Sequence, residues 1–472
     1  MKRLRWIAWC LLAGCLPAQG FPPGYRLEPV AQGLQLAAAM AFTPDGRLLV
    51  AERVTGAVRV VAGPGSPRTF ANVPSQGAPS SEVGLLGIVV DPAFQRNGHV
   101  YVHYTRSAPG FEAVLGRLTD VGGSGQGLIE LGRPMPVAGG HVGGVLCFGS
   151  DGRLYLGRGD GQVPETAQSL ASWHGKILRY EAGSGAVPAD NPFVNVPGAE
   201  PYTWSLGHRN VFGLAVHPPT GALLCTENGN FLSDELNTVR RGANYGWPIY
   251  EGREPAPDPV TEDPLETFYP EPSLTGAGFW TAEFAPAAAR GDLFLGGFNR
   301  GEVFQVRLDP GGTRVVARSL FGRTSGPVIG IAEGPDGLLY LLYADTRMQG
   351  AERVGRLVHE SHPLPSLHLC AVSNVAVGGS VSLGVVGQSG ATAVVWLGAQ
   401  RFAQSLPTPF GPLWVPPDLV LPAQAVGGDG RAYFVVTPPE LASLRGQVLH
   451  AQGGTVQGST ARLTNPSSLL LR

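Results

Sequence analysis

A single histidine, His141, stands in the stretch AGGHVGGVLCFGSDGRLYLGRGDG, with glycines at 139, 140, 143 and 144 and an aspartate, Asp160, nineteen residues further on. Glycines on both sides strip side chains away from the imidazole, so a flat ligand or another stretch of backbone can come close to it. The intervening VLCFGSDGRLYL reads as strand, turn, strand. A loop before the first strand and a loop after the second lie at the same end of such a hairpin, which lets His141 and Asp160 face one mouth. An aspartate bonded to one ring nitrogen fixes the tautomer and leaves the other nitrogen a better general base. Taken singly, His141 would be a packed or surface histidine and Gly159-Asp160-Gly161 a plain turn.

A second polar constellation runs from Tyr202 to Pro248. Arg209 and Asn210 follow Gly207-His208, where a forked guanidinium and an amide can hold the oxygens of a polar ligand. Glu227-Asn228-Gly229-Asn230 and Ser233-Asp234-Glu235-Leu236-Asn237 offer carboxylates, amides and backbone carbonyls, the hard oxygens that calcium prefers. Any one acidic pair here would be a solvated turn, but the cluster is denser than turns require.

The elements that must position these groups recur along the chain. MAFTPDGRLLV (40–50), GIVVDPAFQRNGHVYV (87–102), VLCFGSDGRLYL (145–156), GLAVHPPTGALLC (213–225), EFAPAAARGDLFLG (283–296) and GIAEGPDGLLYLL (330–342) each read as an apolar strand, a turn built on Pro, Asp or Gly, and a second apolar strand. Six hairpins at this spacing predict an all-β six-bladed β-propeller over 21–360. From Ser361 onward charges thin out and strand-like runs continue, which predicts a small C-terminal β-sandwich over 366–472 behind the linker SHPLPSLH. Its Trp396, in TAVVWLG, reads as core.

The first twenty residues have the basic start, apolar run and small residues of an export signal, with a lipoprotein-type box ending at Cys15 and an ordinary cleavage site at Ala18-Gln19-Gly20 as alternatives. The expectation is an exported protein, periplasmic, extracellular or lipid-anchored through Cys15, with no transmembrane run after the leader. Cys147, Cys225 and Cys370 remain, an odd number that argues against a disulfide framework and for buried thiols. Charged residues are 15% of the chain and the net charge is −2, which excludes nucleic acid and an anionic membrane surface as electrostatic partners.

GLLGIVVDPAFQRNGHVYVHYT, GHVGGVLCFGSDGRLYLGRGD, GKILRYE with Asp190-Asn191-Pro192-Phe193, GHRNVFGLAVHPPTG, ENGNFLSDELNTVRRGANYGWP and GPDGLLYLL together resemble the soluble glucose/sorbosone dehydrogenases, in the same order over roughly residues 25 to 360. Those are six-bladed propellers that use pyrroloquinoline quinone (PQQ) and calcium to oxidise aldose sugars. The resemblance implies that His141 takes the proton from the sugar hydroxyl at C1, oriented by Asp160, while hydride passes to the quinone and an external electron acceptor reoxidises it. It places Arg209 and Asn210 beside the quinone oxygens and the backbone carbonyls of Gly229 and Asn230 on the cofactor's calcium, which polarises the quinone carbonyl. Asp234, Glu235 and Tyr245 match positions that bind a structural calcium.

The departures from that pattern are specific. Glu82 stands where many members have glutamine, and Asn230 replaces the usual proline. Asn299, in GGFNRGEVF, replaces a lysine, and Pro327, Ile329 and Gly330 occupy the place of an Arg-x-Arg-Asp stretch. Those basic groups neutralise the three PQQ carboxylates, and burying carboxylates without partners costs several kcal/mol each. Arg300 and Arg323 are near enough in sequence to substitute. Loss of the anchors fits a non-catalytic, calcium-binding propeller acting as a secreted binding module, and fold analogy adds a calcium-dependent lactone hydrolase. Retention of His141, Asp160, Arg209 and Asn210 together favours the dehydrogenase.

Overall fold

The computed structural model describes residues 20–359, apart from 62–66, 80, 108–110, 255–259, 283–284 and 345–351, together with strands and a few flanking positions between 367 and 470. Six four-stranded antiparallel sheets form between Tyr25 and His359. Blade 1 comprises Ala37–Phe42, Leu48–Glu52, Ala57–Val61 and Arg68–Asn72, and blade 2 Leu85–Val90, His99–Arg106, Glu112–Val121 and Ser124–Pro136. Blade 3 comprises Leu146–Phe148, Leu154–Arg158, Lys176–Tyr180 and Thr203–Leu206. Blade 4 follows with Val211–Val216, Leu223–Glu227, Asp234–Val239 and Glu266–Phe268, and blade 5 with Leu274–Phe279, Leu293–Gly297, Glu302–Leu308 and Val315–Arg323. Blade 6 takes Val328–Glu333, Leu339–Ala344 and Glu352–His359 from the end of this region and its fourth strand, Tyr25–Leu34, from the beginning, paired from Tyr25 with His359 to Leu34 with Glu352. The chain is a six-bladed propeller whose ring is closed by that N-terminal strand.

Five of the six expected hairpins are the inner pair of a blade, and the repeated turns are built alike. In GSDG and GPDG the amides of Gly149 and Gly334 bond the carbonyls of Arg153 and Leu338. The aspartates then accept from the hydroxyls of Tyr155 and Tyr340 at 3.0 and 2.8 Å. Blade 5 departs from expectation: its first strand is Leu274–Phe279, upstream of EFAPAAARGDLFLG. Pro286 and Gly291 coil the residues before Leu293 into turns, with Gly291 bonding back to the carbonyl of Trp280.

The core lies between blades. One apolar cluster joins each neighbouring pair, from Leu49, Val102 and Leu118 between blades 1 and 2 round to Leu34, Val50 and Leu342 between blades 6 and 1. Both faces of each sheet are therefore covered, which is why inner strands read as continuous apolar runs. Towards the axis the first strands crowd together, and small residues make that approach tolerable: a Cβ on Gly87 would lie 2.0 Å from the carbonyl oxygen of Gly144, and one on Gly276 2.6 Å from the Cα of Gly330. Register shifts sit at the same depth in five blades, between Ala37 and Ala39, Leu85 and Gly87, Val211 and Gly213, Leu274 and Ala277, and Val328 and Gly330. Such bulges bend the inner strand around the axis.

Beyond residue 366, Leu367–Cys370, Val381–Val386 and Arg431–Val436 pair into one sheet, and Thr392–Gly398 with Val448–Gln457 form the centre of a second. The export leader with Cys15 and the side chains of Cys370 and Trp396 lie outside the described residues. Among the described residues no helix is long and apolar enough to cross a membrane.

The axial packing generates a test. Gly87→Val should lower stability by at least about 2 kcal/mol, because the added atoms meet backbone rather than a side chain that can swing away. Gly183→Ala, at a site where a Cβ meets nothing within 4 Å, should stay within about 0.5 kcal/mol of wild type. Calorimetric unfolding of both variants measures the difference.

Candidate active site

His141 and Asp160 meet as the hairpin of blade 3 requires. The imidazole Nδ1 lies 2.7 Å from Asp160 Oδ1, with the histidine side chain 16% exposed and the aspartate 1%. His141 itself holds φ 51°, in the left-handed region. A non-glycine residue there is strained and persists only where its surroundings over-determine it. They do: a Cβ on Gly159 would lie 2.1 Å from the carbonyl oxygen of His141, so the two loop backbones are in direct contact.

Asp160 is tied on all sides. Oδ1 also accepts from the amide of Gln162 at 2.8 Å, Oδ2 accepts from the indole Nε1 of Trp247 at 2.8 Å, and its own amide donates to the carbonyl of Arg209 at 2.7 Å. Burial pushes this carboxyl upward, but the bonds from His141, Gln162 and Trp247 outweigh it and hold the group below the ordinary aspartate range. Asp160 is thereby a charged acceptor that holds Nδ1–H and leaves Nε2 as the basic nitrogen. Trp247 sits in the NYGWP segment, yet nothing in that segment's pattern announced that its indole would reach a residue 87 positions earlier.

Arg209 and Asn210 lie on the connection into blade 4. The guanidinium bonds the carbonyl of Asn228 at 3.1 Å and Asn230 Oδ1 at 3.2 Å and stands 5.4 Å from the Trp247 ring, while its Nε is buried without a partner. Asn210 donates through Nδ2 to Glu82 at 3.3 Å, and its buried Oδ1 also lacks a partner. Neither Arg209 nor Asn210 is part of the wall of the axial cavity, but their partners Asn228 and Glu82 are. Every blade contributes to this cavity of about 670 Å3, a volume ordinary for a small-molecule site.

The loop carrying Gly229 and Asn230 turns its amides inward. Gly229 N donates to Asp234 Oδ1 at 3.0 Å, and the amides of Asn230, Phe231, Leu232 and Ser233 all point at Glu251 Oε1, at 2.6, 2.8, 2.8 and 3.4 Å. Glu251 was not among the residues singled out from sequence, because it lies on a separate loop with no local motif. Asp234, Glu235 and Tyr245 each bond different partners. Neighbouring strand residues point to opposite sheet faces, so Asp234 bonds the amides of Gly229 and Leu274 while Glu235 bonds Gly252 N and Asn237. The Tyr245 hydroxyl is engaged by the carbonyl of Thr238 and the amide of Arg240, and its ring stacks on His208.

The three replaced anchors are also legible. Pro327 and Ile329 line the cavity with apolar surface, whereas Asn299 is directed to the carbonyl of Glu271 at 3.0 Å. Arg300 and Arg323 both bind Glu302 Oε1 at 3.0 Å, and neither lines the cavity. Arg53 is the basic side chain on its wall among the described residues. Near the site His208, Cys225 and Glu227 gather their ligand atoms within 4.8 Å of one another, but both nitrogens of His208 already have partners in Ser205 and Glu227.

The site is thus a carboxylate-held histidine on a six-bladed propeller, in a loop whose Gly140 and Gly143 line the axial cavity. Residues 34–351 match the family Glucose / Sorbosone dehydrogenase, and the chain belongs to it. It is 30% identical over 339 residues to the aldose sugar dehydrogenase of Escherichia coli, covering 68% of this chain and 90% of that one. The crystal structure of a Thermus thermophilus oxidoreductase described as a glucose dehydrogenase superposes with a TM-score of 0.63 at 36% identity, covering 71% of this chain and all of that one. The PQQ-bound aldose sugar dehydrogenase of Streptomyces coelicolor gives 0.60 at 29% identity, over 72% and 99%.

Behind Asp160, burial, with Arg158 and Lys176 adding to it, pushes His174 down to about 4. A base that the fold keeps neutral binds its proton only in the unfolded chain, where its value is near 6.5. Its contribution is therefore complete above that value and is lost as the pH falls toward the folded one. The melting temperature of wild type should accordingly fall more between pH 7 and pH 5 than that of His174→Gln. Parallel thermal scans check this; identical pH slopes would contradict it.

Proposed function

We propose that this chain is a PQQ- and calcium-dependent dehydrogenase that oxidises an aldose sugar at C1 to the lactone. The observation that carries the reading is the pairing of His141 with a buried, charged Asp160 beside the unsatisfied Nε of Arg209 and Oδ1 of Asn210. Family membership and the PQQ-bound relative support it.

The residues present suit the quinone at its reacting end. Arg209 and Asn210, which bond the cavity-lining Asn228 and Glu82, are the pair that would stand beside the quinone oxygens. Arg53, on the wall of the same cavity, would meet a cofactor carboxylate in place of the three absent anchors. The amides of 229–233 are spent on Asp234 and Glu251, so the carbonyls of Gly229 and Asn230 are the part of that loop suited to a hard cation. When bound, PQQ would supply the two-electron acceptor for the hydride from C1.

The chain's own residues do the rest. Nε2 of His141 takes the C1 hydroxyl proton, Asp160 stabilises the imidazolium that results, and Trp247 with Gln162 keeps that carboxylate in place. The leader composition supports export, an external acceptor completes turnover, and the C-terminal sheets fit a sandwich serving as an accessory domain.

Titration of the calcium-loaded protein with PQQ, followed by quinone absorbance and dye reduction with a panel of aldoses, tests this. Saturable binding with sugar-dependent reduction is expected, and His141→Ala should lower turnover by about 10²- to 10⁴-fold while PQQ still binds. Absence of saturable binding, or a His141→Ala variant with wild-type turnover, would refute it.

A further inference from the structure

Arg158, the last residue of the second strand of blade 3, has no exposure and no carboxylate partner among the described residues. Its Nη1 donates to the carbonyl of Val142 at 3.2 Å, its Nη2 to the carbonyl of Pro136 at 3.0 Å, and its Nε has no partner. A buried guanidinium without an anion carries a large desolvation cost that a methionine of similar volume would avoid. The group must therefore supply something that volume alone does not.

Its bonds indicate what. Pro136 and Val142 flank the loop that carries His141, and Arg158 precedes Asp160 by two residues. One segment thus grips the His141 loop twice: Asp160 by the imidazole, Arg158 by the backbone on either side. The left-handed conformation of His141 is the strained point that such a grip would hold.

The charge matters as well. From blade 2, His103 is fully buried with neither ring nitrogen bonded, and burial followed by Arg158 holds it neutral. Within blade 3, Lys176 bonds the carbonyls of Thr166, Ala167 and His174, and His174 is neutral. From the blade 4 side the loop meets Arg209 and, through Asn210, Glu82. Removing the Arg158 charge would favour any imidazolium that forms near it.

We infer that Arg158 is a positioning residue for the His141–Asp160 pair, fastening the backbone on both sides of the histidine and keeping a buried positive charge behind it. This rests on His141 being the base.

The test compares Arg158→Met and Arg158→Lys with wild type, using imidazole NMR titration of the metal-free, cofactor-free protein and steady-state kinetics of the reconstituted one. The His141 signal is assigned by its loss in His141→Ala. In Arg158→Met the His141 ionisation should move up by at least about half a pH unit, because imidazolium loses a repulsive neighbour. The kcat should fall at least about tenfold with KM within about twofold, and the alkaline shift should reappear in the kcat/KM profile. Arg158→Lys, which keeps the charge but not the fork, should restore the ionisation and leave part of the kcat loss. If Arg158→Met does not fold, the Lys variant decides: a wild-type kcat there overturns the inference. A lower melting temperature with unchanged ionisation and kcat also overturns it, reducing Arg158 to a structural residue. If wild type turns over no sugar, the dehydrogenase reading fails, and the NMR titration alone decides the positioning role.

Discussion

A carboxylate with almost no contact with water has to be hydrogen-bonded on every side, and Asp160 meets that requirement by drawing three stretches of chain to one point. The His141 imidazole comes from the loop before blade 3, the Gln162 amide from the loop beyond its second strand, and the Trp247 indole from beyond the third strand of blade 4. The same indole lies under Arg209, whose carbonyl accepts the Asp160 amide. Removing the charge at Asp160 would therefore loosen the imidazole and the tautomer it holds, while the backbone bond from Asp160 to Arg209 stays in place. Function and local stability share one set of bonds.

That arrangement works because the propeller is rigid around it. Inter-blade apolar clusters and close backbone contacts at the axis leave little room for a blade to rotate. The N-terminal strand closes the ring, so the cavity wall is continuous from Ala37 in blade 1 to Ile331 in blade 6. Into this wall the chain sets few charges, Arg53, Glu82 and Glu352 among the described residues, and surrounds them with apolar surface. Pro327 and Ile329 supply part of that apolar surface.

Much of this was legible in the sequence, for reasons that are local. Pro-Asp-Gly and Ser-Asp-Gly turns between apolar runs revealed the inner hairpins because turn and strand chemistry act over a few residues, and the His141–Asp160 spacing followed from one hairpin. Blade 5 was misplaced because its inner connection is long and itself contains Pro and Ala-rich apolar residues that imitate a strand. Trp247 and Glu251 were not legible as partners of Asp160 and the 229–233 loop, since those bonds join different elements of the ring. The separate partners of Asp234 and Glu235, the amides of Gly229 and Leu274 for one and of Gly252 for the other, were equally out of reach, because strand alternation turns neighbouring side chains to opposite faces. Arg300 and Arg323 looked free to replace lost anchors, and Glu302 claims both.

The central claim is that Asp160 sets His141 to remove the C1 hydroxyl proton as hydride leaves the sugar. Rapid-reaction reduction of the PQQ-loaded protein by C1-deuterated and ordinary aldose, in wild type and Asp160→Asn, tests it most directly. The account predicts a primary isotope effect on reduction in wild type, and a reduction rate in Asp160→Asn lower by about 10²-fold or more with cofactor binding unchanged. Reduction at the wild-type rate in Asp160→Asn, or no isotope effect in either protein, would contradict it.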